Sequence, residues 1–220
     1  MSASHPSTRD LPRGDALLSN RMKATGRALL APVVRLAQRV GVTPNRVTVL
    51  GFLVVVAAAG LVAAGQLLVA AAVVVAGSLL DAVDGALARA TGGTSAFGSF
   101  LDSTLDRVAE AILLTGIIAY LLRTSADPLW PVLVTIAALI ASFLVSYTRA
   151  KAESLGLSAT VGLAPRTERV ILIVVGLALA GIGFAIGLIG AIGLVAALSV
   201  ATTIQRIWHV RAQGESSQEK

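Results

Sequence analysis

Apolar positions fall along this chain in blocks far longer than the amphipathic helices of a soluble domain need, and short polar or glycine-rich breaks divide them. Residues 47–80 and 170–203 carry no charge at all. A helix crosses a bilayer with about 20 apolar residues, so each of these two runs supplies most of two crossings. Gly65-Gln66 splits the first run into 47–64 and 67–90. "TGGTSAF" then precedes a helix over about 98–122, and "RTSADP" precedes one over about 129–155. "GLSATVGLAP" precedes one over about 166–180, and the glycines at 181–183 open the last, to about 210. Clusters of glycine and proline mark such turns. The pattern predicts an all-α integral membrane bundle of six transmembrane helices.

Before the first block the pattern changes. In "NRMKATGRALLAPVVRLAQRVG", Met22, Leu29, Val33, Leu36 and Val40 recur at near-helical spacing between basic residues, with Pro32 as a kink or break. This predicts an amphipathic juxtamembrane helix lying in the interface and attracted to anionic lipid; a solvated helix docked on the bundle has the same spacing. The domain is expected over 19–212, between a disordered tail at 1–18 and a C-terminal tail at 213–220. No signal-peptide type of apolar stretch occurs in the first forty residues, so the N-terminus is expected to be kept.

Composition agrees with this picture. Only 14% of residues are charged and mean hydropathy is +0.83, against roughly 25% charged in a soluble domain. There is no cysteine, so disulfides and thiolate metal sites are excluded. Of 18 Lys and Arg residues, only Arg123 falls near the side opposite the termini. Positive charge gathers on the cytoplasmic side, which puts both termini and the 91–97 and 156–165 loops there, in the cell (inner) membrane.

One stretch breaks the apolar pattern. "DAVDGALARATGGTSAFGSFLDSTLD" holds four of the chain's twelve acids, between flanks that read as membrane helix. Asp81 and Asp84 are three apart, and Asp102 and Asp106 are four apart, so each pair shares a helical face. The short loop makes the two helices antiparallel neighbours, and the pairs can meet. Small residues at Gly85, Ala88 and Gly98 permit close approach of backbone or ligand. Four converging carboxylates repel one another unless cations neutralise them. Hard divalent ions with oxygen ligands meet that need, and Mg²⁺ commonly takes further oxygens from substrate phosphates. Arg89 adds a planar donor fork suited to phosphate. Acids at membrane depth are functional by default. Solvated acids paired with Arg89 and Arg107, or a proton or cation pathway, are the alternatives.

The spacing Asp-x2-Asp-Gly-x2-Ala-Arg-x8-Gly-x3-Asp-x3-Asp, met at Asp81, Asp84, Gly85, Ala88, Arg89, Gly98, Asp102 and Asp106, resembles the signature of the CDP-alcohol phosphotransferase family. "TPNRVT" is similar to the segment before the family's first spanning helix. The resemblance implies six membrane helices, a homodimer, and an enzyme that transfers the phosphate-linked alcohol of a CDP-alcohol to an acceptor hydroxyl, releasing CMP. It implies two Mg²⁺ or Mn²⁺ ions on Asp81, Asp84, Asp102 and Asp106, with Asp106 as the base. Pro44, Asn45, Gly85, Ala88, Arg89, Ser95 and Gly98 are implied to bind the cytidine diphosphate of CDP-diacylglycerol. "SYTRAKAESLGLSATVGLAPRTERV" resembles the branch that makes phosphatidylinositol phosphate from inositol phosphate, including its archaeal counterparts. By that resemblance Arg149, Arg169 and Arg206 hold the phosphate of a phosphorylated polyol acceptor. Anchoring by the positive-inside rule is the bland reading of these arginines. Glycerol 3-phosphate presents the same phosphate and is the nearest alternative acceptor. A cation-coupled carrier is the non-enzyme alternative, and no nucleic-acid partner is expected.

Overall fold

The computed structural model describes residues 31–92 and 95–218, and every regular element among them is a helix. Helix α1 covers 31–39. It is followed by α2 (Pro44–Ala63), α3 (Leu67–Ala90), α4 (Ala96–Thr124), α5 (Leu129–Ser154), α6 (Arg166–Gly181) and α7 (Ile186–Gln218). The bounds of α3 fall where the sequence breaks predict them. Helix α2 begins three residues early because Pro44 takes the first helical position, where its missing N–H costs nothing. Helix α7 runs past the predicted end near 210 and through most of the expected tail. Gln213 explains part of this: it donates to Ser158 O at 2.7 Å and accepts from Ser158 N at 3.0 Å, clamping this last part of α7 to the loop before α6.

Helices α2, α3, α5 and α7 are long and apolar enough to cross a membrane, with α7 counted over Ile186–Gly214. The chain is a membrane protein by this measure. Helix α4 is interrupted by Asp102, Asp106, Arg107 and Glu110, and α6 has only 16 residues with Arg166, Glu168 and Arg169 in its first turn. At 1.5 Å per residue α6 is about 24 Å long, short of the roughly 30 Å of a hydrocarbon core.

The helices pack as a closed ring in the order α2, α3, α6, α7, α5, α4 and back to α2. One end of the ring is filled: Val62, Val74, Leu114, Ile117, Ala138, Ile173, Leu177, Leu188, Ile192 and Val195 form a single buried apolar cluster. Leu50, Leu68, Leu79, Ile140, Phe143, Ile171, Leu194 and Trp208 instead point outward and are exposed. Apolar side chains inside and outside together are the mark of helices in lipid. The other end of the ring holds the charges described below. Helix α1 lies there too, with Val34 and Ala37 packed on Val47, Val83 and Leu87. Val33, Leu36 and Val40 face away and are exposed. The expected positions Met22 and Leu29 lie outside the described residues.

Close approach of α2 and α4 depends on Gly116. A Cβ there would stand 2.5 Å from the carbonyl oxygen of Ala59, a backbone atom that no rotamer change can move. Gly116→Ala is therefore expected to destabilise the protein by about 1–3 kcal/mol, seen as a lowered melting temperature in detergent. An unchanged melting temperature would mean that the two helices separate without cost.

Candidate active site

Asp81 near the C-terminal end of α3 and Asp102 and Asp106 in the first turns of α4 turn toward one another. One oxygen from each lies within 4.8 Å of the others. Asp84, one turn on from Asp81, is not part of this trio. It is 6% exposed, and its Oδ2 is buried with no hydrogen-bond partner. A buried, unpartnered carboxylate oxygen is costly unless something cationic faces it. Three converging hard oxygen donors and a fourth carboxylate with a spare oxygen fit divalent cations of the Mg²⁺ or Mn²⁺ type. An arginine already stands among them: Arg166 Nη1 lies 2.9 Å from Asp81 Oδ2 and 2.8 Å from Asp106 Oδ2.

Beside the acids opens a cavity of about 280 Å³, walled by Pro44, Asn45, Asp84, Gly85, Ala88, Ser95, Gly98 and Asp102, with Thr43, Thr48, Thr91 and Ser99. Its shape depends on the start of α4. Ser95 Oγ caps that helix by accepting from Gly98 N at 2.9 Å. Gly98 lies so near α2 that a Cβ would stand 2.9 Å from Asn45 Oδ1. Arg89 is exposed and does not wall the cavity, although its Nη1 lies close over Gly85.

Against Asp106 lies a second cavity of about 190 Å³, with a basic wall of Arg107, Arg149, Arg166, Arg169 and Arg206, and Ser103 and Glu110 beside them. The arginines differ in what they already hold. Arg149 is half-exposed and pairs with Glu153 at 2.8 Å. Arg206 is buried and donates to the carbonyls of Val161 and Val145. Arg169 is 1% exposed, forks onto both oxygens of Glu110 at 2.7 Å, and donates to Ala164 O at 2.9 Å. The loop before α6 is fixed by Thr202 Oγ1, which accepts from Leu163 N and Ala164 N at 3.0 Å each. A third, apolar cavity of about 380 Å³ runs from Asp81 and Arg166 between α3 and α6, along Val75, Leu79, Val170, Ile171 and Val174.

Residues 41–205 match the CDP-alcohol phosphatidyltransferase family. The chain belongs to that family. It is 36% identical over 200 residues to an archaetidylinositol phosphate synthase of Methanothermobacter thermautotrophicus, covering 91% of this chain and 97% of the relative. A phosphatidylinositol phosphate synthase of Corynebacterium glutamicum is 34% identical over 180 residues, covering 81% of this chain and 82% of the relative. The phosphatidylinositol phosphate synthase of Mycobacterium tuberculosis with CDP-DAG bound superposes with a TM-score of 0.78 at 35% identity, covering 83% of this chain and 94% of that one. A second structure of that enzyme, in complex with manganese and citrate, gives a TM-score of 0.76 at 34% identity, covering 82% of this chain and 88% of that one.

As a CDP-alcohol phosphatidyltransferase, the chain is a transferase whose acids, first-cavity residues and arginines meet at one end of the ring. The signature residues other than Arg89 line the first cavity or join the acid trio. Glu110 carried no role in the sequence reading. Its signal was available: it lies four residues past Asp106 on the same face of α4, and an acid at membrane depth needs a partner. Arg166 stood in the basic stretch with no sign that it would reach back 85 residues to Asp81.

Proposed function

We propose that this protein transfers the phosphatidyl group of CDP-diacylglycerol to inositol phosphate, giving phosphatidylinositol phosphate and CMP. The observation that carries the reading is the acid trio joining two cavities: Asp102 walls the one of about 280 Å³, and Asp106 walls the one lined by arginines. Pro44, Asn45, Gly85, Ala88, Ser95 and Gly98 receive the cytidine diphosphate, with Arg89 at its edge. The apolar cavity between α3 and α6 takes lipid chains, which keeps them at membrane depth beside a polar site. Arg149 and Arg107 offer reachable charge to the acceptor phosphate, and Arg169 and Arg206 form the inner wall. An acceptor hydroxyl then stands next to Asp106. It attacks the phosphorus that bears the diacylglycerol, its proton passes to the Asp106 carboxylate, and the bond from that phosphorus to the CMP oxygen breaks. Two Mg²⁺ or Mn²⁺ ions held by Asp81, Asp84, Asp102 and Asp106 supply the charge that neutralises the pyrophosphate and the departing CMP.

Six crossings belong to the same reading, supported by a ring in which α4 and α6 occupy places equivalent to the four apolar helices. So does a cytoplasmic site in the cell membrane, supported by the arginines at this end and, among the described residues, by Arg123 alone at the other, where it donates to Ala63 O. A homodimer rests on the family resemblance alone.

The test is CMP release from CDP-diacylglycerol with a panel of acceptors. Inositol phosphate is expected to support turnover, and free inositol, lacking the phosphate, to support little. A preference for glycerol 3-phosphate would keep the phosphate site and overturn the inositol assignment. No CMP with any acceptor, together with ion flux in vesicles, would favour a carrier. Exhaustive chelation is expected to stop turnover and added Mg²⁺ or Mn²⁺ to restore it; full activity in protein shown by metal analysis to be stripped would end the two-ion reading.

A further inference from the structure

Two arginines at the start of α6 reach across the ring to α4, and they do so in different ways. Helices α4 and α6 do not pack backbone to backbone among the described residues, so side chains alone span the gap. Arg169 makes a complete fork with Glu110 and is sealed from solvent. Arg166 makes no fork. A single nitrogen, Nη1, lies between Asp81 Oδ2 and Asp106 Oδ2, and its Nε is buried without a hydrogen-bond partner. Its side chain is about one-third exposed. One positively charged nitrogen between two carboxylate oxygens is the arrangement a bound cation would take. A guanidinium held by one nitrogen with another N–H unsatisfied is poorly anchored. Arg166 borders a small pocket against α2, lined by Thr48, Gly51, Asp81 and Asp106, and it also borders the basic cavity, so room for a second position adjoins the first.

We propose that Arg166 and a divalent cation compete for Asp81 and Asp106, so that metal binding turns the Arg166 guanidinium out toward the basic cavity. The proposal rests on the reading of these aspartates as metal ligands. It makes Arg166 a positioning residue. It holds the two carboxylates together against their mutual repulsion until metal arrives, and metal loading delivers its charge to the cavity where the acceptor phosphate is proposed to bind.

Two measurements on the full chain in detergent test this. The first is Mn²⁺ affinity, read from the paramagnetic resonance of the free ion. Arg166→Gln removes the competitor and is expected to bind Mn²⁺ about 3- to 30-fold more tightly, the equivalent of losing two partly exposed ion pairs. Arg166→Lys is expected to fall between the two, and Arg123→Gln to match wild type. The second needs no variant: phenylglyoxal labelling of wild type, mapped by mass spectrometry. Labelling at Arg166 is expected to rise on addition of Mn²⁺, while Arg169 stays protected by Glu110. Unchanged or weaker Mn²⁺ affinity in Arg166→Gln, or labelling at Arg166 indifferent to Mn²⁺ in protein that binds it, overturns the competition. Wild type that binds no Mn²⁺ overturns the metal reading itself, and with it this proposal.

Discussion

Asp106→Asn is expected to lower the rate of transfer by about 10²–10⁴-fold, the usual cost of losing a general base, while CDP-diacylglycerol still binds. The amide keeps the size and shape of the side chain but cannot take a proton from the acceptor hydroxyl. Donor binding is expected to survive because Asp106 does not wall the cavity formed by Asn45, Gly85 and Gly98; it faces the pocket against α2 and the basic cavity. The loss should exceed this range if a metal site fails along with the base, and metal analysis of the variant separates the two contributions. Since the lost interaction acts in the transition state, the fall belongs in kcat and kcat/KM together rather than in KM. Steady-state CMP release and a thermal-shift titration with CDP-diacylglycerol check both halves. A rate within a few-fold of wild type would remove Asp106 from proton transfer.

The clustering of the acids and of the small residues around one cavity was legible in the sequence because these residues are local. Asp81 and Asp84, then Asp102 and Asp106, follow helical spacing across one short loop, and the small residues that wall the cavity are threaded among them. The ends of α3 were legible for the same reason, since glycine breaks are written in the chain. What could not be read is which partner a charge takes when that partner is far away in sequence. The resemblance assigns Arg169 to the acceptor phosphate, and only the ring order that brings α6 opposite α4 gives it Glu110, 59 residues earlier, as a partner. Arg206 likewise spends donors on the carbonyls of Val145 and Val161, and backbone acceptors leave no trace in a residue pattern. The extension of α7 had the same cause, a clamp between Gln213 and Ser158 that spans 55 residues.

The partner of Arg169 changes what its substitution is expected to do. A contact with the acceptor phosphate alone would make Arg169→Gln raise the KM for inositol phosphate by about 10- to 100-fold, the equivalent of one charge-assisted hydrogen bond. The structure gives a larger and different effect. Both members of the Arg169–Glu110 pair are buried, at 1% and 7% exposure of their side chains. Breaking such a pair from one side leaves an uncompensated charge in a low-dielectric interior, which costs about 3–5 kcal/mol. Arg169→Gln strands the Glu110 carboxylate, and Glu110→Gln strands the Arg169 guanidinium, so both single variants are expected to lose stability to a similar degree. The double variant Glu110→Leu with Arg169→Met replaces the pair by apolar groups of similar length and is expected to recover most of the loss. Thermal unfolding in detergent of wild type, Glu110→Leu, Arg169→Met and their combination completes the cycle, and CMP-release kinetics on each variant that folds, the two Gln variants included, supplies the second readout. A bolt between α4 and α6 predicts low melting temperatures in both single variants and a strong coupling between the two sites. A phosphate ligand predicts instead that Arg169→Gln melts like wild type with a raised KM for inositol phosphate. Glu110→Gln, which frees the guanidinium from its carboxylate, would then bind the acceptor at least as well as wild type. Melting temperatures unmoved in both single variants would overturn the bolt and return Arg169 to the acceptor site.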